Sequence, residues 1–159
     1  MPKVAILYSN PAPLVDALQS KLSWCQIDLF NDADFDINLY DHIISAGYKK
    51  ELNFNVLTSN LSLLPAFDEK EPVKAAFEAG VKVTGVSVYY TKPRRIIAQY
   101  PIFIYNDAHY DELVHELEYI EQTLFPLVAE KIIKNEAFET QALMNGGNCF
   151  HCSGCNNCK

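Results

Sequence analysis

Short apolar runs alternate along this chain with segments whose apolar residues recur at helical spacing. Lys3 to Ser9 (KVAILYS) is nearly continuous apolar sequence, the pattern of a strand covered on both faces. A turn through Asn10-Pro11-Ala12-Pro13 follows, and Leu14, Val15, Leu18 and Leu22 then keep a helical period. Cys25 to Phe30 (CQIDLF) predicts a second short strand, and the Asp-rich stretch from Asn31 to Asp36 a loop. Asp41 to Ala46 (DHIISA) predicts a third strand ending at Gly47. A turn of helix around Lys49 to Leu52 leads into a strand from Phe54 to Thr58.

The stretch from Ser59 to Thr91 carries the densest pattern. Leu63-Leu64-Pro65-Ala66-Phe67 is an apolar turn, because Pro65 has no N–H to give to a helix interior. Glu71 to Ala79 reads as a helix, with Pro72 in its first turn and Gly80 as its stop. Val81, Val83, Val86 and Val88 with two tyrosines then read as a buried strand. Arg94 to Ile104 is a further strand region, interrupted by Pro101. A long helix is predicted from His109 to about Asn135, with Asn106 or Asp107 as N-cap and a kink at Pro126. From Ala137 the chain turns polar and Gly-rich, which divides it into a body, residues 1–136, and a tail, residues 137–159. Short apolar strands joined by helical crossovers favour an α/β three-layer sandwich with a mostly parallel sheet.

Three segments together, SLLPAF at Ser62 to Phe67, AGVKVTGVSVYY at Ala79 to Tyr90 and IIAQ at Ile96 to Gln99, resemble the folate-dependent formyltransferase family. The likeness covers most of residues 1–134 and is nearest to glycinamide ribonucleotide formyltransferase, with methionyl-tRNA formyltransferase a more distant match. It implies the formyltransferase version of a Rossmann-like fold. Against the family's pattern the chain is short between Leu22 and Asp41, so a trimmed sheet edge is expected there.

Size, composition and charge narrow the reading further. The 159 residues, 49% apolar and 12% aromatic, suffice for one domain with a core. No apolar run reaches the length of a membrane span, and Met1-Pro2-Lys3 leads straight into a strand, so a cytoplasmic protein without a membrane partner is expected. A net charge of −7 argues against nucleic acid as a partner, since phosphate contacts need clustered Lys and Arg. The basic cluster Lys92-Pro93-Arg94-Arg95 reads as a solvated loop, with a polyanionic ligand as the alternative.

Formyl transfer to an amine develops negative charge on the formyl oxygen and positive charge on the attacking nitrogen. It needs donors aimed at the oxygen and a group that manages the amine proton. The resemblance implies an Asn-x-His pair just before Pro-Ser-Leu-Leu-Pro, and an Asp in a Gly-rich loop before the Ile-Ile strand. Here Thr58 stands at the family's Asn, Asn60 at its His and Leu61 at its Pro. Neither Thr58 nor Asn60 can carry a proton near neutral pH. No histidine occurs from Ile43 to Ala108, and no acidic residue between Glu78 and Asp107. The loop Thr91 to Arg95 is shorter than the family's, and it is expected to line a cleft with Thr58 and Asn60.

At the nucleotide end, Ser9-Asn10-Pro11-Ala12-Pro13 replaces the family's Gly-rich phosphate loop, and its prolines remove two donors. The folate end is closer to the family. Ala46, Gly47, Tyr48, Lys49 and Leu52, with Leu64, match a loop that the resemblance implies binds the pterin largely through backbone groups. A strand ending in a plain turn is the other reading of that segment.

The last eleven residues hold four of the five cysteines, Cys149, Cys152, Cys155 and Cys158, as overlapping C-x-x-C units. That spacing lets thiolates face one metal, with Gly146, Gly147, Gly154 and Asn157 allowing the chain to wrap it. It resembles a bacterial iron–sulfur run, with the last interval one residue short and no following proline. A zinc ion is the other metal it suits, with His151 as a substitute ligand. Disulfides and an unstructured thiol-rich tail remain as alternatives. Cys25, on a strand, is a small core residue, and His42, His109 and His115 take structural or surface roles.

The sequence therefore points to a formyltransferase-fold protein that has lost transfer chemistry and gained a thiolate metal site, with a binding or sensing role. Folate-type ligands are expected to bind weakly or not at all, and without turnover. One alternative is an active 10-formyl-tetrahydrofolate-dependent formyltransferase acting on a small amine such as a glycinamide ribonucleotide. Another is an assembly scaffold, in which the apolar face of the long helix supports a homodimer.

Overall fold

The computed structural model describes residues 1–10 and 12–145. The elements run β1 (Lys3–Leu7), α1 (Pro13–Lys21), β2 (Gln26–Phe30), a 3-10 turn (Ile37–Leu39), β3 (His42–Ser45) and β4 (Leu57–Asn60). They continue with α2 (Pro72–Ala79), β5 (Val83–Thr91), β6 (Arg94–Phe103), α3 (Tyr110–Ile133) and α4 (Thr140–Asn145). The strands form one sheet in the order β2-β1-β3-β4-β5-β6. Pairing is parallel from β2 to β4 and antiparallel between β4, β5 and β6. The sheet is thus mixed rather than mostly parallel. β5 and β6 are joined through Lys92 and Pro93 alone, and so short a link can only reverse the chain.

The core lies between the sheet and the helices. Val4, Ile6, Ile44, Leu57, Val86 and Val88 point from the strands into one buried cluster with Leu14, Leu18, Leu113, Leu117, Leu124 and Phe125. α3 packs on β4, β5 and β6 and also on α1, α2 and α4. Its apolar stripe is therefore buried against the chain's own sheet, and the face expected to support a dimer is covered internally. α3 runs through Pro126, which is itself buried. Its N-cap is His109 in extended conformation, with no side-chain cap bond, in place of Asn106 or Asp107.

The other face of the sheet is covered differently. Between β2 and β3 there is only the 3-10 turn, so the strand–helix unit is trimmed and β2 is a sheet edge. A second helical layer, as a three-layer sandwich requires, is absent there among the described residues. Aromatic side chains take its place. Phe30 stacks on Phe35 at 4.3 Å, Tyr40 meets both edge-on, and Phe54 lies 6.1 Å from Phe35. Tyr40 donates to Asp28 at 2.9 Å, which fixes this cover to β2. Phe54 belongs to that cover, so β4 begins at Leu57 and no helical turn forms at Lys49 to Leu52.

α4 was not legible in the polar sequence after Ala137. Met144 is 2% exposed, and Phe138 and Leu143 pack against the core, so the packed body continues past residue 136. Cys149, Cys152, Cys155, Cys158 and His151 lie outside the described residues. No helix among the described residues is long and apolar enough to cross a membrane.

Candidate functional site

β4 presents its residues alternately to the two faces of the sheet. Leu57 and Ser59 face the helices; Thr58 and Asn60 face the other way. Thr58 sits opposite Tyr89 and Asn60 opposite Ser87 on β5. Thr58 Oγ1 donates to the Ser45 carbonyl at 3.1 Å, tying β4 to the end of β3. Asn60 Nδ2 donates to Ser62 Oγ at 2.6 Å and lies 3.5 Å from the Phe67 carbonyl. Ser62 Oγ donates onward to the Ala66 carbonyl at 2.8 Å.

These bonds belong to a larger network that pins the apolar turn to the sheet. Ser87 Oγ donates to the Ser62 carbonyl at 2.7 Å and accepts from the Leu64 N–H at 3.0 Å. Gln99 Nε2 donates to the Leu64 carbonyl at 2.8 Å and reaches Ser87 Oγ at 3.0 Å. Ser62 and Ser87 are wholly buried, so the network satisfies polar groups that water does not reach. Gly85 lets the turn approach: a Cβ there would stand 2.7 Å from Leu63 Cδ2 and 2.1 Å from the Tyr100 carbonyl. The segments SLLPAF, GVSV and IIAQ are thus one packing unit.

The loop matched to the folate end has an open position. Ala46 is buried and its N–H donates to the Leu7 carbonyl at 2.8 Å. Gly47 has φ +72°, with nothing within 4 Å of where a Cβ would be. The Lys49 N–H donates to Ser9 Oγ at 2.9 Å, so the loop lies across the end of β1. Tyr48 and Leu52 are half-buried and Lys49 is exposed. Leu64 is 3% exposed and anchored to β5 and β6 by the bonds above.

The β5–β6 hairpin departs from expectation. Thr91 bonds to Val56 through its N–H and its Oγ1, and the Lys92 N–H donates to Asn55 Oδ1 at 2.8 Å. The tip therefore lies beside residues 55–56, before the Leu57 end of β4, while Asn60 closes the other end. The register explains this: each residue gained along β5 toward Thr91 moves back along β4. Arg94 turns back, its guanidinium 5.2 Å from the Tyr89 ring centre and 2.5 Å from Asp68 Oδ2. The bond to Asp68 raises the Arg94 pKa, and burial raises that of Tyr89.

Asp68, which pairs with Arg94, and Glu121, on the helix face of β4, are the ionisable residues near the site that motif matching missed. Asp68 follows the apolar turn directly, and only the fold carries it to Arg94 at the start of β6. Glu121 lies on α3 beneath β4 and accepts from Ser59 Oγ at 2.9 Å. Part of this residue meets solvent while its carboxyl end is enclosed, and burial pushes its pKa up to about 7. The Ser59 bond works against that rise, and the Glu118 charge adds to it. One signal was available: Glu121 interrupts the apolar stripe of Leu117, Ile120 and Leu124.

At the start of α1 the N-cap is Ala12, with no side-chain cap bond and Pro13 in the first turn. His42 is half-buried at the start of β3, and burial lowers its pKa despite Asp41 beside it. Among the described residues no group of three or more His, Cys, Asp or Glu side chains could hold a metal ion.

No family model matches the sequence. Among curated proteins, the chain is 30% identical over 132 residues to a phosphoribosylglycinamide formyltransferase from Bacillus subtilis, covering 79% of this chain and 64% of that protein. It is 32% identical over 73 residues to a mitochondrial formyltetrahydrofolate deformylase from Arabidopsis thaliana, covering 45% of this chain and 22% of that one. The chain thus spans less than two thirds of the length of these relatives. The crystal structure of phosphoribosylglycinamide formyltransferase from Bacillus halodurans superposes with a TM-score of 0.68. That match is 19% identical and covers 82% of this chain and 95% of that one, a likeness of fold.

Proposed function

We propose, from the chain's similarity to the formyltransferases, that it is a binding protein for a small folate-type ligand, held at the open 46–49 loop where the sequence alone led to an expectation of weak binding or none, and that it does not transfer the formyl group. The observation that carries this reading is the employment of Thr58 and Asn60. Both are hydrogen-bonded within the protein, to Ser45 and to the Ser62–Phe67 turn, where they hold the backbone together. An amide and a hydroxyl so engaged supply no proton acceptor near pH 7. A general base is ordinarily worth about 10² to 10⁴ in rate. Ligand contact falls instead to the 46–49 loop, where Gly47 leaves space and backbone groups are at hand. The lack of a membrane-spanning helix among the described residues suits a cytoplasmic protein with a small-molecule partner.

A second reading, formyl transfer to a small amine such as a glycinamide ribonucleotide, is favoured by Asp68. This carboxylate pairs with Arg94, whose guanidinium lies over the ring of Tyr89, the residue opposite Thr58. One pair of measurements separates the readings. Calorimetric titration with a stable folate should give saturable binding that Gly47→Val weakens at least tenfold. Incubation with 10-formyl-tetrahydrofolate and glycinamide ribonucleotide should leave the folate chromophore unchanged. Transfer that Asp68→Asn abolishes would establish the second reading, and absence of folate binding would overturn the first.

A further inference from the structure

We propose that the slot between the start of β3 and the C-terminal end of α3 is a second small-molecule site, which takes a small carboxylic acid with a compact apolar body. It stands apart from the 46–49 loop. That loop leaves β3 at Ser45, whereas the slot opens at His42, where the strand begins.

The slot exists because the sheet does not close there. β3 and β4 share one pair, Ile44 with Leu57, so in parallel register residue 55 would stand opposite His42. Asn55 serves the hairpin instead, its Oδ1 accepting from the Lys92 N–H at 2.8 Å. Above the gap α3 ends: Asn135, at φ +53°, reverses the chain, and its N–H donates to the Ile132 carbonyl. Ile44 and Leu57 from the strands and Ile132 and Ile133 from the helix supply the apolar walls. They enclose about 180 Å³. At ~30 Å³ for each water in the liquid, that is the volume of roughly six waters, so the body it holds is small.

Polar groups meet the slot from both sides. His42 shares the helix face of β3 with Ile44, and Tyr90 stands beside Leu57 on β5. Both are half-buried, and neither side chain has a hydrogen-bond partner among the described residues. Burial lowers the His42 pKa and raises that of Tyr90, which leaves both uncharged near neutral pH. An imidazole and a phenol in that state offer directional bonds to a neutral or anionic oxygen.

Charge sets the orientation. Past Tyr90 and Ile132 the slot runs into an open groove of about 620 Å³, where Arg95 lies 5.5 Å from the Tyr90 ring centre. Lys131 in that groove is paired with Glu136, while Arg95 has no carboxylate partner among the described residues. At the other end stands Asp41, whose Oδ2 accepts from the Lys3 N–H at 2.8 Å. Asp41 leads into β3 and Arg95 belongs to β6, three strands away. At ~4.8 Å per strand that is about 14 Å. A ligand carboxylate is therefore drawn to Arg95 and the Tyr90 hydroxyl and repelled from Asp41, while an uncharged end meets His42.

The test is an amide NMR titration of the full chain with para-hydroxybenzoate, which has a hydroxyl, a ring and a carboxylate in line. Saturable shifts are expected at Ile43, Asn55, Tyr90 and Ile133. The uncharged para-hydroxybenzamide should bind about tenfold more weakly, the worth of one bond to a charged group. Arg95→Gln should weaken para-hydroxybenzoate binding by a similar factor, and its amide spectrum reports whether the fold is kept. Gly47→Val should leave this binding unchanged, which separates the slot from the folate-type loop. Absence of shifts at millimolar concentration would overturn the proposal, as would shifts confined to residues 46–49. So would equal binding of acid and amide, or equal binding by a folded Arg95→Gln protein.

Discussion

Glu121 puts an ionisable group into the stripe of α3 that packs on the sheet, with Ser59 as its hydrogen-bond partner. Its pKa, pushed up to about 7 mainly by burial, makes it a pH-dependent burden on the fold. The sign follows from linkage: a carboxyl with a raised folded-state pKa contributes fully below its unfolded pKa and loses that contribution as pH rises through the folded one. Between about pH 4.5 and 7 the unfolded chain gives up this proton first, so stability falls. Urea denaturation of the parent should therefore weaken by about 1–3 kcal/mol more than that of Glu121→Gln between pH 5 and pH 8. Identical pH profiles would show that the carboxyl is solvated. Gly85 is the other residue with a sharp expectation. A methyl group there meets the Tyr100 carbonyl and Leu63 Cδ2 inside van der Waals distance. Gly85→Ala should cost about 2–4 kcal/mol in the same assay, because the backbone must move.

The apolar turn and the strands that hold it work as one element, and they show how far sequence reasoning reaches. Proline and apolar spacing marked the turn, the glycine stop marked α2, and the valine run marked β5. Whether Asn60 faced a ligand or a carbonyl depended on the return of residues 62–67 over Ser87, which no local pattern encodes. The same limit applies at the hairpin. Its shortness was plain in the sequence, but the placement of its tip beside Asn55 followed from strand register. α4 was hidden because a short amphipathic helix has too few positions to show a period. Its packing carries a prediction: Met144→Ala should destabilise the body by about 2–4 kcal/mol in thermal or urea unfolding. A change under about 0.5 kcal/mol would mean that residues 140–145 do not belong to the packed body.

At the scale of the whole molecule, the α/β class was legible because buried strands and a long periodic helix leave few other arrangements. The missing helical layer was foreshadowed only by the short interval before Asp41. What covers the sheet in its place, Phe30, Phe35, Tyr40 and Phe54, came from the last residue of β2 and from the loops on either side of β3. The outcome is a body with the fold of the solved formyltransferase structures, in which Thr58 and Asn60 serve the backbone. That claim meets its most direct test in a single-turnover experiment, with protein in excess over 10-formyl-tetrahydrofolate and glycinamide ribonucleotide supplied as acceptor. Excess protein removes weak binding as an explanation, so only chemistry is read. The account predicts that the formyl group stays on the folate at the rate seen without protein. Transfer to the amine at about 1 per second or faster, the range of ordinary enzymes, would contradict it.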